Sequence, residues 1–263
     1  PPGKRMGLLQ RLTRSSKIHG DIAERFRRHL AAGCILDLPA GKGESARGLV
    51  AGGYEVHAAD LFPENYSGQG YPVDKVDLTK PLPYEDDRFD GVLFSEGIEH
   101  LDAQVAALRE LARVLRPGGV MVVSTPNVLH LEGRLGQMLT AHAYRNRSIV
   151  VETAAYWGGG APAEGDTAYF GHVFLIDAFQ LRLYLIHVGL EVVEVDTTRY
   201  SWKSLLLAPL LFPSVWWATR GILARKRSRV PPDLQRELRR LILSPALLFG
   251  RKLIMVARKP ASG

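Results

Sequence analysis

The stretch Ile35-Leu36-Asp37-Leu38-Pro39-Ala40-Gly41-Lys42-Gly43 decides the fold of this 263-residue chain. An apolar run ends in an acid and passes through a Gly-X-Gly turn, and a segment rich in Ala, Leu and Val follows. A second short run, Glu55–Asp60, again ends in an acid, seventeen residues after Gly43. A strand, a tight turn, a helix and a second strand in this order present backbone N–H groups and a carboxylate to a nucleotide-like ligand.

Strand-like and helix-like segments alternate outward from this stretch. A four-residue apolar repeat predicts a helix over 17–32. We expect further helices at 43–51, 102–115 and 175–188, and strands at 34–38, 55–59, 73–77, 89–94, 119–124, 191–197 and 252–257. Because nearly continuous apolar strands between helices favour a parallel sheet, we predict an α/β fold with helices on both faces. Arg116-Pro117-Gly118-Gly119 is expected to end one helix and turn into the next strand.

Two segments do not fit this alternation, and they divide the chain into four predicted parts. Residues 126–172 are rich in His, Tyr, Trp and Gly and exceed a normal connection, which indicates a lid or substrate-shaping insert. Residues 199–250 form a hydrophobic and basic helical insert. The ligand-binding domain then comprises 33–198 and 251–259, and a basic helical segment, 1–32, precedes it.

The net charge of +7 is unevenly distributed along the chain. Residues 4–28 carry eight Lys or Arg and two acids, and residues 220–240 again carry eight and two. The span 29–219 holds fourteen basic and twenty-three acidic residues. The basic ends can meet phosphate on a membrane or on nucleic acid, or can be solvated helix faces. The single cysteine suits a reducing compartment, and the interrupted, basic start has no signal-peptide centre, so we expect a cytoplasmic protein.

Three more motifs follow the opening stretch in order. Val76-Asp77-Leu78 precedes Pro81-Leu82-Pro83, Phe89 to Leu101 contains Ser95 and the pair Glu99-His100, and an apolar run extends from Leu108 to Val123. With these motifs the chain resembles class I S-adenosylmethionine-dependent methyltransferases of the bacterial type 11/23-like group, similar to ubiquinone-pathway and glycan O-methyltransferases. The resemblance covers about residues 30–198 and 252–258. It implies a Rossmann-like, mostly parallel seven-stranded sheet with a reversed last strand, and S-adenosylmethionine as cofactor.

The resemblance also implies a set of cofactor-binding residues. They are Asp37 at the amino end of the cofactor, Gly41 and Gly43 along its methionine and ribose portions, Asp60 at the ribose, Asp77 and Leu78 beside the adenine, and Ser95 near the methionine. One residue departs from the family pattern, because Pro39 stands where the loop usually has its first glycine. Proline lacks an N–H, but we expect binding to survive because Gly41 and Gly43 keep the closest approach.

An acceptor hydroxyl needs a base, and histidine is the natural base near neutral pH. Our first candidate is His172, which ends the 126–172 insert, and the second is His130, which follows the 119–124 strand. His100 can instead cap a helix. Further acceptor contacts are expected from the aromatic and basic residues of the insert, namely Tyr144, Arg145, Arg147, Tyr156, Trp157 and Tyr169. Because no Cys/His cluster has zinc spacing, we expect no metal.

The 199–250 insert contains LLLAPLLFPSVWWA at 205–218, with Pro209 and Pro213 inside it. Fourteen interrupted residues are too few to span a bilayer, but apolar segments flanked by Trp and Arg suit one leaflet's interface. A helical cap on the sheet or a homodimer interface would bury the same residues. We therefore predict peripheral membrane contact through 205–249, on the inner face of the membrane, and no nucleic-acid partner.

Three functions remain open at this point. The first is O-methylation of a hydroxyl on a small-molecule, glycan or lipid-linked acceptor. The second is RNA methylation, which the basic ends favour although no RNA-binding module is evident and the loop Thr125-Pro126-Asn127 does not suit a base amine. The third is a non-catalytic scaffold at a membrane, which Pro39 and the hydrophobic insert favour.

Overall fold

The computed structural model describes residues 18–67, 72–140, 172–225 and 230–261. The strands are β1 (Cys34–Asp37), β2 (Glu55–Asp60), β3 (Val73–Lys75), β4 (Phe89–Ser95), β5 (Leu115–Pro126), β6 (Glu191–Asp196) and β7 (Lys252–Arg258). The α-helices are α1 (Ile18–His29), α2 (Glu44–Ala51), α3 (Gln104–Val114), α4 (Leu131–Thr140), α5 (Ala178–His187), α6 (Trp202–Arg225), α7 (Pro232–Ile242) and α8 (Pro245–Phe249). Short 3₁₀ helices cover Pro63–Asn65 and Ile98–His100.

The seven strands form one sheet in the order β3-β2-β1-β4-β5-β7-β6. Strands β1 to β5 pair in parallel, and β7 runs antiparallel to both of its neighbours. The predicted Rossmann-like sheet with a reversed last strand is therefore confirmed. Strand order reverses at β1, which has β2 on one side and β4 on the other, and such a switch point opens a crevice at the carboxyl ends of the strands.

Both faces of the sheet are covered, and β4 shows how the sequence does this. Successive side chains of a strand point to opposite faces. Leu93 therefore joins the core beneath α1 and α2, with Ile22, Phe26 and Leu49. Val92 and Phe94 join the larger core on the other face, whose helical side comes from α3 and α5 through Leu108, Leu111, Leu181 and Leu185. The central strands are apolar throughout because they are buried on both faces.

The tetrapeptide Arg116-Pro117-Gly118-Gly119 does not form the expected turn between a helix and a strand, so that prediction is wrong. β5 begins at Leu115, directly after α3, and Leu115 already pairs with Phe89 of β4. The next pair is Gly91 with Val120, so the tetrapeptide bulges out within the ladder. Gly118 takes φ +77°, which glycine adopts without strain.

The 199–250 insert holds α6, α7 and α8, and its two ends meet at the sheet. Tyr200 and Gly250 form an isolated antiparallel bridge, and the Ser201 N–H donates to the Phe249 carbonyl at 2.7 Å. The insert therefore leaves and rejoins the sheet at one point. This geometry allows its helices to extend from the domain without disturbing the β6–β7 pairing.

Helix α6 corrects the prediction that the apolar 205–218 segment is too interrupted to span a bilayer. Pro209 and Pro213 lie inside one continuous helix of 24 residues. Both prolines are exposed, so water can satisfy the carbonyl groups that lose an N–H partner. At 1.5 Å per residue the helix is about 36 Å long. Within the described ranges it is the one helix long and apolar enough to cross a membrane by length and composition, with 6% of its apolar window buried.

A buried arginine joins α1 to the far edge of the sheet. Arg25 is 3% exposed, and its guanidinium donates to Asp196 of β6 at 2.6 Å and to the Asp21 carbonyl at 3.0 Å. The Asp21 carboxylate, also buried, lies 3.6 Å from the same guanidinium. Because a buried charge is costly without its partners, removing one member of such a group destabilises a fold strongly.

We expect Arg25→Met to lower the free energy of unfolding by about 3 kcal/mol, since it removes the buried guanidinium that contacts Asp21 and Asp196. Arg28→Met is the matched control, because Arg28 is 29% exposed and pairs with Glu194 at the surface. It should cost less than about 1 kcal/mol. Urea denaturation of both variants measures the difference, and equal losses would show that the buried network does not hold α1 on the sheet.

Candidate active site

A cavity of about 490 Å³ opens at the carboxyl ends of β1, β2 and β4, at the switch point of the sheet. Its volume is within the range of small-molecule and cofactor sites. The loops after these strands and after β3 supply its walls, which are Leu38, Pro39, Gly41, Lys42, Asp60, Leu61, Phe62, Asn65, Val76, Asp77, Leu78, Thr79, Glu96, Gly97, His100 and Leu101. Apolar side chains make up much of this surface, and a few carboxylates converge on it.

Asp60 ends β2 at the cavity wall and organises the loop after β1. Its Oδ2 accepts the Gly41 N–H at 2.8 Å, and its Oδ1 accepts the Phe62 N–H at 2.9 Å. Each carboxylate oxygen keeps a second acceptor position. Gly41 has φ +52°, and the position of a Cβ there lies in open space. A ligand can therefore approach the Gly41 backbone closely and donate hydroxyl hydrogen bonds to Asp60.

Asp37, the last residue of β1, is fully buried behind this loop and does not line the cavity. Among the residues that the structure describes, none donates a hydrogen bond of good geometry to either oxygen of Asp37. Burial, and next the negative charge of Asp60, raise the pKa of Asp37 to about 8, against a smaller lowering by the Ala46 amide. A cationic hydrogen-bond donor beside such a carboxyl lowers the free-energy cost of its ionised form, because it supplies both the opposite charge and the missing hydrogen bonds.

Asp77 and Leu78 follow β3 and line the opposite wall. Thr79 donates to Asp77 Oδ1 from its N–H at 3.0 Å and from its hydroxyl at 2.7 Å, and the Lys80 ammonium lies 2.9 Å from Oδ2. Burial opposes ionisation of Asp77, but these hydrogen bonds and the Lys80 charge hold its pKa below the usual value. The carboxylate is therefore ionised and fixed in place, with Leu78 beside it as an apolar surface.

Two predicted cofactor residues lie near the cavity without lining it. Gly43 caps α2 with φ +75°, and the Tyr66 ring occupies the space that a Cβ would need there. Ser95, at the end of β4, shares a hydrogen bond of 2.9 Å with Ser124 of β5. Gly43 thus provides room for an aromatic ring, and Ser95 joins two strand ends.

Sequence analysis missed Glu96, which lines the cavity directly after β4. Its φ of +54° is unusual for a residue with a side chain and points to a constrained site. Its carboxylate forms an ion pair with Lys252 of β7, and burial lowers the pKa of that lysine to about 8. The sequence signal that could have identified Glu96 is its position directly after a predicted strand, because ligands bind at the carboxyl ends of the strands that meet at the switch point.

His172 and His100 meet at the rim of the same cavity. Their rings are 5.1 Å apart and edge to face, and His100 lines the cavity. Glu99, fully buried, precedes His100 and accepts the Thr125 hydroxyl at 3.0 Å. The structure therefore brings the first predicted base together with Glu99-His100, although more than seventy residues separate them in sequence.

His130 lies elsewhere, between α4 and α6, and does not line the cavity. Its Nδ1 accepts the Gly133 N–H at 3.0 Å and lies 3.2 Å from the Ser204 hydroxyl. Burial lowers the pKa of His130 to about 4, so the imidazole is neutral near pH 7. In this position it caps the start of α4 and contacts the insert.

Several predicted acceptor contacts fall outside the described ranges. These are Tyr144, Arg145, Arg147, Tyr156, Trp157 and Tyr169, which belong to the central part of the predicted 126–172 insert. Helix α4 and His172 are the described parts that flank it.

The family model described as a methyltransferase domain matches residues 11–195, which is more than half of the chain. Demethylmenaquinone methyltransferases are similar over a shorter span: the Mycobacterium sp. strain KMS protein is 44% identical over 98 residues, and the Clavibacter sepedonicus protein is 41% identical over 105. These matches cover 35% and 36% of this chain, and the chain spans 42% of the length of each of these two relatives.

Solved structures share the fold at low sequence identity. A methyltransferase from Archaeoglobus fulgidus, described as SAM-dependent, has a TM-score of 0.53 and 15% identity, covering 92% of this chain and 94% of its own. A putative methyltransferase from Bacillus halodurans has a TM-score of 0.51 and 13% identity, covering 92% and 99%. The chain belongs to the family described as a methyltransferase domain. S-adenosylmethionine is the cofactor that its motifs predict.

The residues present fit this cofactor. Asp37 is a buried carboxyl without a good hydrogen-bond donor, and the cofactor carries a cationic amino group. Asp60 offers acceptor positions to ribose hydroxyls beside the open Gly41 backbone. The apolar wall at Leu78 and Leu101 suits a flat base.

We expect cofactor binding to release a proton from Asp37. With a pKa of about 8, the carboxyl of the cofactor-free protein is mostly protonated at pH 7, and a bound ammonium favours its ionised form. Affinity should therefore rise up to about tenfold per pH unit from about pH 6 to 7.5. Calorimetric titration with S-adenosylhomocysteine in buffers of different ionisation enthalpy measures the number of protons released for each ligand bound.

Asp37→Asn should abolish this proton release and weaken binding about 10- to 100-fold. Asp77→Asn is the matched control, because Asp77 lines the cavity but is already ionised, so its variant should keep the proton release. Wild-type binding without proton release, or unchanged affinity in Asp37→Asn, would contradict a role for Asp37 in holding the amino group.

Proposed function

We propose that this member of the methyltransferase-domain family transfers a methyl group from S-adenosylmethionine to a hydroxyl oxygen on a small-molecule, lipid-linked acceptor. The observation that carries the proposal is the pair His100 and His172 at the rim of the cofactor cavity. Methyl transfer to oxygen requires that the hydroxyl proton be taken up or displaced. A histidine pair at the cavity rim is suited to that task near neutral pH.

The cofactor, when bound, supplies an electrophilic methyl group on a sulfonium. The residues of the chain align the acceptor with it and exclude water. His100 lines the cavity, and His172 packs against its ring, so the hydroxyl of an acceptor at the rim can hydrogen-bond to an imidazole. Glu99 and its partner Thr125 lie behind this pair and fix the local backbone through Ile98–His100.

Two observations bear on the class of acceptor. The relatives reported above are named demethylmenaquinone methyltransferases, which favours a small-molecule acceptor. Helix α6 also presents an apolar face to the surroundings: Trp202, Leu206, Leu210 and Trp217 are 61%, 70%, 73% and 76% exposed. Their spacings of four, four and seven residues place them on one side of the helix.

The occupant proposed for this face is the interface of a bilayer that contains anionic phospholipid. Next to the apolar face, Arg220, Arg236 and Arg239 line a cavity of about 550 Å³ between α6 and α7, together with Leu223. Arg220 also stacks on Trp216, with 5.0 Å from the guanidinium carbon to the ring centroid. Aromatic and apolar side chains beside arginines complement the acyl and phosphate layers of a leaflet.

Acceptor chemistry is tested by incubating the full chain with S-adenosylmethionine and prenylated phenols or quinols, followed by mass spectrometry and NMR of the product. We expect a mass gain of one methylene with the new methyl on oxygen. Asp60→Ala should reduce turnover at least about 100-fold, because it removes the loop anchor at the cofactor. Asp86→Ala, a change at an exposed surface acid, is the control. A methyl on carbon or nitrogen in the product would overturn the O-methylation proposal.

Membrane contact is tested by flotation with phosphatidylglycerol and phosphatidylcholine vesicles. We expect wild type to bind the anionic vesicles, and Leu210→Ser with Trp217→Ser to bind at least about tenfold more weakly, since each exposed apolar side chain contributes about 1.5–3 kcal/mol when buried. Arg236→Ser with Arg239→Ser should weaken binding about 30-fold, at about 1 kcal/mol per arginine.

Leu183→Ser is the matched control, because Leu183 is an exposed leucine, 61% accessible, on α5 and outside the apolar face of α6. Light scattering after size exclusion gives the second readout. A wild-type dimer that dissociates in the Leu210→Ser, Trp217→Ser variant, without flotation of the wild type, would assign the face to a second copy and overturn the bilayer proposal.

A further inference from the structure

Glu99, His100 and His172 form the one group of three or more His, Cys, Asp or Glu residues, within the described part of the chain, whose ligand atoms lie close enough to share a metal ion. These atoms all lie within 4.8 Å of one another. Two of the residues are neighbours on the 3₁₀ helix Ile98–His100, and His172 comes from the far end of the predicted insert. Sequence spacing does not show such a group, because its members are far apart along the chain.

Backbone and amide hydrogen bonds hold the two segments together. The Phe174 N–H donates to the Glu99 carbonyl at 3.1 Å. The Gln104 side-chain amide donates to the Ile98 carbonyl at 3.0 Å and to the Phe174 carbonyl at 2.7 Å. Phe174, two residues after His172, therefore forms two backbone hydrogen bonds with the Glu99 region, one through its N–H and one through its carbonyl. These bonds hold His172 close to His100.

The donor set has the chemistry of a divalent transition-metal site. Two imidazoles and one carboxylate are typical ligands of zinc, iron and manganese, with bonds of about 2.0–2.2 Å. Two donors on one such ion lie at most about 4.4 Å apart, so small side-chain rotations bring the three atoms into range. Glu99 is fully buried, and the Thr125 hydroxyl donates to its Oε2, as an outer partner does for a metal-bound carboxylate.

The cluster also faces the reaction site. His100 lines the cofactor cavity, so an ion held by three protein ligands would keep open coordination positions toward it. An acceptor hydroxyl that binds a divalent ion loses its proton more readily. Glu96, a further carboxylate on the cavity wall, forms its ion pair with Lys252 and accepts a hydrogen bond from the Ser124 hydroxyl.

We propose that Glu99, His100 and His172 bind one divalent transition-metal ion, and that this ion holds the acceptor hydroxyl. The proposal rests on the proposed O-methylation and changes the role of His172 from proton acceptor to ligand. The hydroxyl oxygen coordinates the ion and gives its proton to solvent at the cavity mouth. The oxygen lone pair then forms the O–C bond to the methyl carbon, and the C–S bond breaks with its electron pair on sulfur, which becomes a neutral thioether.

Metal binding is measured directly, without acceptor or turnover. The full chain is dialysed against EDTA and titrated with Zn²⁺, Mn²⁺ and Co²⁺ by calorimetry, and the Co²⁺ absorption spectrum reports the ligand set. We expect one equivalent to bind with a dissociation constant of roughly micromolar or below, and to raise the melting temperature. His100→Asn and His172→Asn should each weaken binding at least about 100-fold, and Glu99→Gln at least about tenfold.

His57→Asn is the matched control, because His57 pairs with Asp74 on the far strands and lies outside the cluster. Circular dichroism confirms that each variant is folded, and His172→Asn is the decisive variant if Glu99→Gln does not fold. Absence of binding to the metal-free wild type, or equal binding in the cluster variants, overturns the proposal.

The two proposals fail in distinguishable ways. One equivalent of metal bound at the cluster, with no methyl transfer to any hydroxyl, would refute O-methylation and leave the metal site standing. Full O-methyl transfer by EDTA-treated protein, with no metal bound in calorimetry, would refute the metal site and leave O-methylation standing.

Discussion

Parallel pairing of β1 with both β2 and β4 is the constraint on which the rest of the structure depends. Parallel strands all end at the same edge of the sheet, so three residues that are distant in sequence, Asp37, Asp60 and Glu96, arrive together. The strand order reverses at β1, and a switch point of this kind opens a crevice at the carboxyl ends of the strands. The cofactor cavity occupies this crevice, and its polar walls come from the loops that follow these strands and β3.

The convergence of carboxylates at one edge has an electrostatic cost, and the structure offsets it in different ways at each acid. Asp60 and Asp77 accept backbone or side-chain hydrogen bonds that fix their positions, and the lowered pKa of Asp77 keeps that carboxylate ionised. Glu96 pairs with Lys252. Within the described residues Asp37 has only the small opposing effect of the Ala46 amide, and its raised pKa follows from burial together with the nearby Asp60 charge. The buried carboxyl without a good donor is thus the position where a cationic ligand brings the largest gain.

The rim of the cavity and the 199–250 insert depend on a different constraint, which is the way long connections return to the sheet. The segment after residue 171 is held by hydrogen bonds from the Phe174 N–H to the Glu99 carbonyl and from the Gln104 amide to the Phe174 carbonyl. As a result, His172 lies beside His100. The insert is closed at Tyr200 and Gly250, so α6 and α7 project from one point beside β7. Reaction chemistry and the proposed bilayer contact therefore lie on elements that the central sheet positions but does not contain.

The central fold was predictable because its signals are local. Each inner strand is apolar along its length, the Gly41 turn needs a positive φ, and an acid ends β1 and β2, so residues 34–60 alone indicate the switch-point site. The strand order and the reversed β7 follow the family resemblance. The element bounds agree within a few residues except at Arg116–Gly119, where a bulge in the β4–β5 ladder replaces a turn. No local pattern distinguishes these two outcomes, because both use the same proline and glycines.

The sequence by itself determined the sheet, the loop after β1 and the acids at the strand ends, since period and turn chemistry act between neighbours in the chain. Only the tertiary structure decided which side chains share a space. His172 lies beside Glu99 and His100, and His130 caps the start of α4 outside the cavity. The Tyr66 ring occupies the space beside Gly43 that a Cβ would need. The tertiary structure also made one helix of a segment with two prolines. These outcomes depend on contacts between residues far apart in sequence, whose free energies are set by packing and burial rather than by local propensity.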